Sequence, residues 1–439
     1  MNTPICDFVK KYAESDSLRL HMPGHKGKNL LGFESFDITE IDGADSLYEA
    51  EGIIKESENN ASSLFGSPTF YSTEGSSQCI KAMLYLVCQK AGRRALIWAG
   101  RNVHKSFLSA SVLLDFETEW LYPENDFSYL SCRINAEHLE KELKKTDRKP
   151  DAVYVTSPDY LGNMCNIKSL AEACHRHGVM LLVDNAHGAY LKFLPETLHP
   201  IDLGADMCAS SAHKTLPVLT GGAYMHISEK LSHISESDVK NALSLFGTTS
   251  PSYLILQSLD MANKILSEDF REELISGEKE ILILKNKLRS NGYILVEDEL
   301  LKITIDAKKY GYYGYELAEQ LKEAGVICEF ADVDFLVLML TPDTELKKLT
   351  EALLKVEKKA EIYLPSPGIQ KPRKVMSPRE AAFKERETVS VSDSLGRVLA
   401  FSTVGCPPAV PIVAGGEEID ENVIKCFEYY NIKDCIVVK

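Results

Sequence analysis

The sequence predicts an α/β fold: a large domain around a mostly parallel central sheet, then a smaller α/β domain and a tail. Three observations predict it. From about Ser62 to His226, short apolar runs alternate with helical patterns, as strands joined by crossover helices do. From about Leu300 the texture changes to a second, shorter set of strand-like and helix-like stretches. At 439 residues, 44% hydrophobic and 26% charged, the chain has room for two or three domains and a large core.

In the large domain, residues 95–99, 152–156, 179–184, 206–210 and 222–227 are short apolar runs and read as strands. Residues 78–90 place Ile80, Met83, Leu84 and Val87 at helical spacing, and 167–177 read as a helix with Gly178 as its stop. In the smaller domain, 301–306, 326–330 and 335–340 read as strands, and 315–324 and 345–359 as helices. Pro365, Pro367, Gly368 and Pro372 mark a connecting segment. Ser377-Pro378-Arg379-Glu380 has the form of a capping box with proline at the first helical position. The rest of the tail reads as loops and one terminal helix. The expected divisions are an N-terminal segment 1–60, the large domain 61–270, the smaller α/β domain 271–365 and a C-terminal extension 366–439.

A net charge of −15 argues against nucleic acid or an anionic membrane as partner. Eleven cysteines, with no CxxC pair and no regular framework, read as reduced thiols of a cytoplasmic protein, and no metal is expected. Residues 1–11 lack a basic-then-apolar leader pattern, and the most apolar stretch, 335–340, is far too short to span a bilayer.

In open parallel sheets, ligands gather at the carboxyl ends of strands. Asp184 stands at such an end, and Lys214 follows another within Ser210-Ser211-Ala212-His213-Lys214-Thr215. A lysine amine can form a Schiff base with the aldehyde of pyridoxal phosphate. An ionised aspartate can keep that cofactor's ring nitrogen protonated, so that the ring accepts electrons from a carbanion. Upstream, Glu74-Gly75-Ser76-Ser77 opens the helix 78–90. Its N–H groups and hydroxyls can hold a phosphate with help from the helix dipole, although a plain serine N-cap has the same pattern. His104, after the strand 95–99, can stack on the pyridine face or simply occupy a loop. His187, three residues after Asp184, can touch the ring substituents or the substrate, or be satisfied in a turn. His213 can bind phosphate or return a proton to the substrate carbon, and the residues alone leave both open. The parts occur in the chain order of fold-type I pyridoxal phosphate enzymes.

The motifs SSAHKT, VDNAHGAY, RNVHKS and HMPGHKG (His21 to Gly27) together resemble the Orn/Lys/Arg decarboxylase family. Asp37-Ile38-Thr39-Glu40, Leu64-Phe65-Gly66, TTSPSY (Thr248 to Tyr253), Ser258-Leu259-Asp260, Ser377 to Ala381 and Gly396-Arg397 extend the likeness over most of the chain. It is similar to the short bacterial branch, without a receiver-like N-terminal domain. The resemblance implies a fold-type I large domain and loss of the α-carboxylate of a basic amino acid as CO₂. Arginine and lysine lead as substrates, with ornithine behind. It implies Lys214 as the Schiff-base lysine, Asp184 as the ring-nitrogen partner and His104 as the stacking residue. Gly75, Ser76, Ser77, Ser211 and His213 would serve the phosphate, with His187 beside the ring. It further implies a homodimer in which Thr248 and Ser250 reach the neighbouring site and residues 1–60 pack at the dimer and active site. Asp37, Glu40 and Asp45 are candidates for the substrate's distal cation by location only.

Four places depart from the family pattern: Asn185 for a usual glutamate, Tyr48-Glu49 for histidine and proline, Asp159-Tyr160-Leu161-Gly162, and Gly405 to Pro411 with Cys406. Two rival readings follow. An aminotransferase or β-eliminating lyase on the same fold would draw on Arg373, Arg379 or Arg397 for the α-carboxylate. A non-catalytic regulator would bind cofactor without turnover.

Overall fold

The computed structural model describes residues 1–124, 127–402 and 408–439. In chain order its strands are β1 (Thr69–Ser72), β2 (Leu96–Gly100), β3 (Glu117–Leu121), β4 (Ala152–Thr156), β5 (Met180–Asp184), β6 (Met207–Ser210) and β7 (Ala223–Ile227). They continue with β8 (Lys302–Asp306), β9 (Phe330–Ala331), β10 (Phe335–Met339), β11 (Arg386–Ser390), β12 (Leu399–Phe401) and β13 (Asp434–Val438). The chain divides into two compact units, residues 1–90 with 180–275, and residues 91–179 with 276–439.

In the first unit the strand order is β1-β7-β6-β5. β5 and β6 are parallel, while β7 runs antiparallel to both β6 and β1. Every residue of β5, β6 and β7 is buried, as continuous apolar runs in a covered sheet require. The helix Ser76–Ala91 buries Ile80, Met83, Leu84 and Val87, the predicted apolar positions. At the start of the chain, the helix Pro4–Ala13 is anchored by Asp260, which is fully buried on the helix Tyr253–Ser267. One Asp260 oxygen accepts the Ile5 and Cys6 N–H groups at 3.0 Å, and the other accepts Ser57 Oγ at 2.5 Å. A buried carboxylate thereby satisfies N–H groups that a helix end leaves unpaired.

In the second unit β4-β2-β3 form a parallel set, with β8-β10-β9 and β11-β13-β12 as two antiparallel three-stranded sheets. Three expectations need correcting here. Residues 326–330 are not a strand: Gly325 (φ +75°) turns the chain, Ile327 is exposed, and only Phe330–Ala331 pairs with β10. The helix expected to reach 359 ends at Lys355, because the chain leaves to bond Lys359 N–H to Tyr310 O and Ile362 N–H to Lys308 O. The tail is not loops plus a helix, since β11, β12 and β13 make a sheet beside the helix Glu421–Tyr429. The Cys406 departure lies outside the described residues.

Arg101, just past β2 and 2% exposed, holds the tail within this unit. Its Nη2 donates to Glu417 Oε2 and to Ile412 O, both at 2.9 Å, and its guanidinium lies 4.7 Å from the Trp120 ring. Trp120 Nε1 donates to the other Glu417 oxygen at 2.8 Å. Removing one member of a buried ion pair strands the other charge away from water. Glu417→Gln is therefore expected to lower unfolding stability by about 3 kcal/mol in urea titration, and a change under about 1 kcal/mol would show the pair is dispensable.

Candidate active site

Eight of the predicted site residues lie near the carboxyl ends of β5 and β6 or in the loop and helix start after β1, all in the first unit. Parallel pairing sets Asp184 opposite Ala209, one residue before β6 ends, so Asp184 closes β5 as Ser211 leaves β6. Asp184 is 1% exposed, and its Oδ1 accepts the Ala186 N–H at 3.2 Å. Burial is the main reason the Cys79 thiol is pushed up to about 12, with the charge of Asp184 adding to it. Asn185 is buried and neutral; its Nδ2 donates to Ser210 Oγ at 2.9 Å, tying the ends of the two strands.

Lys214 sits in the short helix Ala212–Thr215, and its Nζ is 3.0 Å from His187 Nε2. Ser211 Oγ donates to Ser76 Oγ at 2.8 Å, which places two predicted phosphate hydroxyls side by side at the start of the helix Ser76–Ala91. Ser77 follows in that helix's first turn. Gly75 (φ +70°) bonds its N–H to Gly221 O at 2.7 Å, and a Cβ there would lie 3.9 Å from His213 Cε1. The loop thus turns directly beside the histidine that precedes Lys214.

His213 donates its Nδ1 hydrogen to Gly222 O at 3.0 Å, because a carbonyl can only accept. Burial lowers its pKa; the bond to Gly222 opposes this in part, and the charge of Lys214 lowers it further. The ring is then neutral with a lone pair on Nε2. That favours neither role left open for it, since both require an available N–H.

Three predicted residues stand outside this group. His104 belongs to the second unit, where it caps the helix Lys105–Leu114: its Nδ1 accepts the Ser106 N–H at 3.1 Å. With Nδ1 accepting, a neutral His104 carries its hydrogen on Nε2. Thr248 and Ser250 are exposed, and Thr248 Oγ1 accepts the Ser250 N–H at 3.1 Å. They follow Gly247, where a Cβ would stand 1.8 Å from Tyr48 Oη, so a larger residue there must displace the Tyr48 side chain. Tyr48 accepts from Gln78 Nε2 at 2.8 Å, so this departure from the family pattern joins the phosphate helix to the 247–250 segment.

Asp45 is not available to a substrate cation. Its oxygens accept the N–H groups of Ser46, Glu51, Gly52, Ile54 and Lys55, capping the helix Ile53–Phe65. Asp37 lies 3.1 Å from His25 Nε2. In the second unit, the Asp159 departure is a buried turn: Asp159 Oδ1 accepts the Leu161 and Asn163 N–H groups at 2.9 Å. Burial raises the Asp159 pKa to about 6.

The arrangement fits pyridoxal phosphate: paired hydroxyls at a long helix's N-terminus, a buried carboxylate at a strand end and a lysine amine after the next strand. Thr73 Oγ1 and Asn185 Oδ1, both buried, have no hydrogen-bond partner among the described residues. They border the loop before the helix Ser76–Ala91 and Asp184 respectively.

Comparison with known proteins assigns the chain to a family. The model of the Orn/Lys/Arg decarboxylase major domain matches residues 3–304, and that of the family's C-terminal domain matches 360–435. An arginine decarboxylase of Bacillus subtilis is 31% identical over 97% of this chain and 93% of its own length. One from Halalkalibacterium halodurans is 33% identical over 96% of this chain and 91% of its own. The constitutive lysine decarboxylase of E. coli superposes with a TM-score of 0.79 at 17% identity, over all of this chain and 82% of that one, and shares the fold. The chain belongs to the Orn/Lys/Arg decarboxylase family and is, with it, a pyridoxal phosphate-dependent decarboxylase of basic amino acids.

Proposed function

We propose that the chain converts L-arginine to its amine and CO₂, with L-lysine as the secondary substrate. The observation that carries the choice of arginine is the near full-length match to two arginine decarboxylases at 31% and 33% identity. The lysine decarboxylase likeness is one of fold, at 17% identity. When bound, the cofactor supplies an electron sink for the carbanion left by loss of CO₂. Lys214 holds it covalently, Asp184 keeps its ring nitrogen protonated, and Gly75, Ser76, Ser77 and Ser211 take the phosphate. His187, 3.0 Å from Lys214 Nζ, orients that amine. With His213 neutral and its only hydrogen given to Gly222 O, Lys214 is the better donor of the proton that returns to the substrate carbon. His104 is assigned the ring-stacking place by family position.

The three arginines an aminotransferase would draw on are engaged. Arg373 donates to Glu418, Arg379 to the Val112 and Leu113 carbonyls, and Arg397 to Glu387 and Val438 O. That favours release of CO₂ over transfer of the amino group, and retention of both Asp184 and Lys214 weighs against a non-catalytic regulator.

A homodimer, with Thr248 and Ser250 serving the partner's phosphate, belongs to the same proposal. Leu18, Leu20, Leu30 and Leu31 are 75–83% exposed within one short N-terminal segment, an apolar surface that a partner chain would cover. Residues 1–60 would then act at the interface, ahead of a large domain (61–270), a small domain (271–365) and a C-terminal extension (366–439). A cytoplasmic location is supported by the ten described cysteines, all free thiols. Among the described residues no helix is long and apolar enough to cross a membrane.

Incubating the holoenzyme with single L-amino acids and identifying the amines by mass spectrometry tests the substrate. Agmatine is expected to dominate, with kcat/KM for arginine at least about tenfold that for lysine. Cadaverine as the main product would overturn the choice of arginine, and keto acid without CO₂ would overturn the reaction.

A further inference from the structure

Three side chains that no part of the decarboxylation uses converge inside the first unit: His199, Cys208 and His226. All three are fully buried, and one donor atom from each lies within 4.8 Å of the other two. The β6–β7 register brings them together: Cys208 and His226 are direct cross-strand partners, so their side chains project from the same face of the sheet. His199 arrives from the loop before β6, with its Nε2 3.8 Å from Cys208 Sγ.

The hydrogen bonds decide which atoms are on offer. Thr69 Oγ1 donates its only hydrogen to Ser67 O at 2.9 Å and also lies 2.9 Å from His226 Nδ1. Nδ1 must therefore carry the hydrogen and donate, which leaves a lone pair on His226 Nε2. That atom is buried with no hydrogen-bond partner among the described residues. The Phe65 ring closes over both imidazoles, with centroids 4.5 Å from His226 and 5.5 Å from His199.

A buried lone pair is costly unless a donor or a cation engages it. A hydrogen-bonded second nitrogen is the support that metal-binding histidines receive, and His226 has it through Thr69, whereas His199 Nδ1 is buried with no partner among the described residues. We propose that His199, Cys208 and His226 form a binding site for one soft cation, zinc(II) or copper(I). Metal–sulfur and metal–nitrogen bonds of about 2.3 and 2.0 Å put the two ligand atoms about 3.7 Å apart at a trigonal ion and about 3.5 Å apart at a tetrahedral one, close to the 3.8 Å between Cys208 Sγ and His199 Nε2. The widest separation in the cluster needs to close by about 1 Å. Binding replaces the Cys208 S–H bond with an S–metal bond and releases the proton to solvent. The site is independent of the cofactor's and is structural in character, clasping β6 to the loop that precedes it.

The test is metal content of the untagged holoenzyme, expressed separately in zinc-supplemented and copper-supplemented cultures under reducing conditions and dialysed against EDTA. About one ion per chain is expected by plasma mass spectrometry in at least one arm. Cys208→Ala and His226→Phe are expected to lower it at least about tenfold, while Cys174→Ala, a buried thiol of the other unit, keeps it. Because Cys208→Ala can fail to fold, X-ray absorption of the unsubstituted protein supplies a second reading, with one sulfur and two imidazole nitrogens expected around the ion. Less than about one-tenth of an ion per chain in both arms, full retention in Cys208→Ala, or a sulfur-free shell would each overturn the site.

Discussion

Lys214→Ala is expected to abolish amine formation and, in the same protein, the visible absorbance of the lysine-bound cofactor. The position is set by the fold: β6 ends at Ser210, the chain turns through Ser211, and one short helical turn delivers the amine to 3.0 Å from His187 Nε2. Alanine suits that turn, so the substitution removes the amine without disturbing the backbone that carries it. Two functions are lost at once, covalent anchorage and the return of a proton to the substrate carbon. The loss in kcat/KM is expected to be at least about 10³-fold, or about 4 kcal/mol of transition-state stabilisation. Folding is checked by an unchanged melting curve, and attachment by borohydride reduction of the unsubstituted enzyme followed by peptide mapping to Lys214. Activity within about tenfold of the unsubstituted enzyme would remove Lys214 from its assigned place.

The strands that position this lysine were legible because covered parallel strands are apolar throughout. Residues 152–156 are found as expected, and β2, β5, β6 and β7 lie within one residue of the expected runs. Strands with little apolar signal were missed. β1 is four residues long, β3 alternates exposed Glu119 with buried Thr118, and β11 begins with three exposed residues. Such strands are recruited by neighbours rather than declared by their own composition. The same holds for function. Lys214, His213, Ser211, Asp184 and His187 lie within two short runs of chain, so the candidate site shows as linear motifs. Arg101 and Glu417 are 316 residues apart, and only the fold makes them a pair. His199, Cys208 and His226 follow no ligand spacing, and strand register alone assembles them. Asp45 is the opposite case. An acidic residue near a predicted site looks available in sequence, whereas in space the backbone of a helix start claims both of its oxygens.

For Asp184→Asn, the expected result is a separation of rate from binding. Asparagine keeps the size of the side chain, and its carbonyl oxygen can still accept the Ala186 N–H that Asp184 Oδ1 accepts at 3.2 Å. What disappears is a negative charge at a place 1% exposed to water, where solvent cannot replace it. In its proposed place that charge would keep the cofactor's ring nitrogen protonated, the state in which the ring accepts electrons well. The effect falls on the transition state, so kcat is expected to drop at least about 10²-fold while KM changes by less than about threefold. The phosphate contacts proposed for Ser76 and Ser211 and the covalent hold proposed for Lys214 do not depend on that charge. Cofactor content after gel filtration is therefore expected to stay above half, and the melting temperature close to the original. A purely structural role would show the reverse, with lost stability and cofactor and a rate per bound cofactor near that of the unsubstituted enzyme. Measuring kcat per mole of bound cofactor tells the two apart, and a value close to the original would reject the electrostatic role of Asp184.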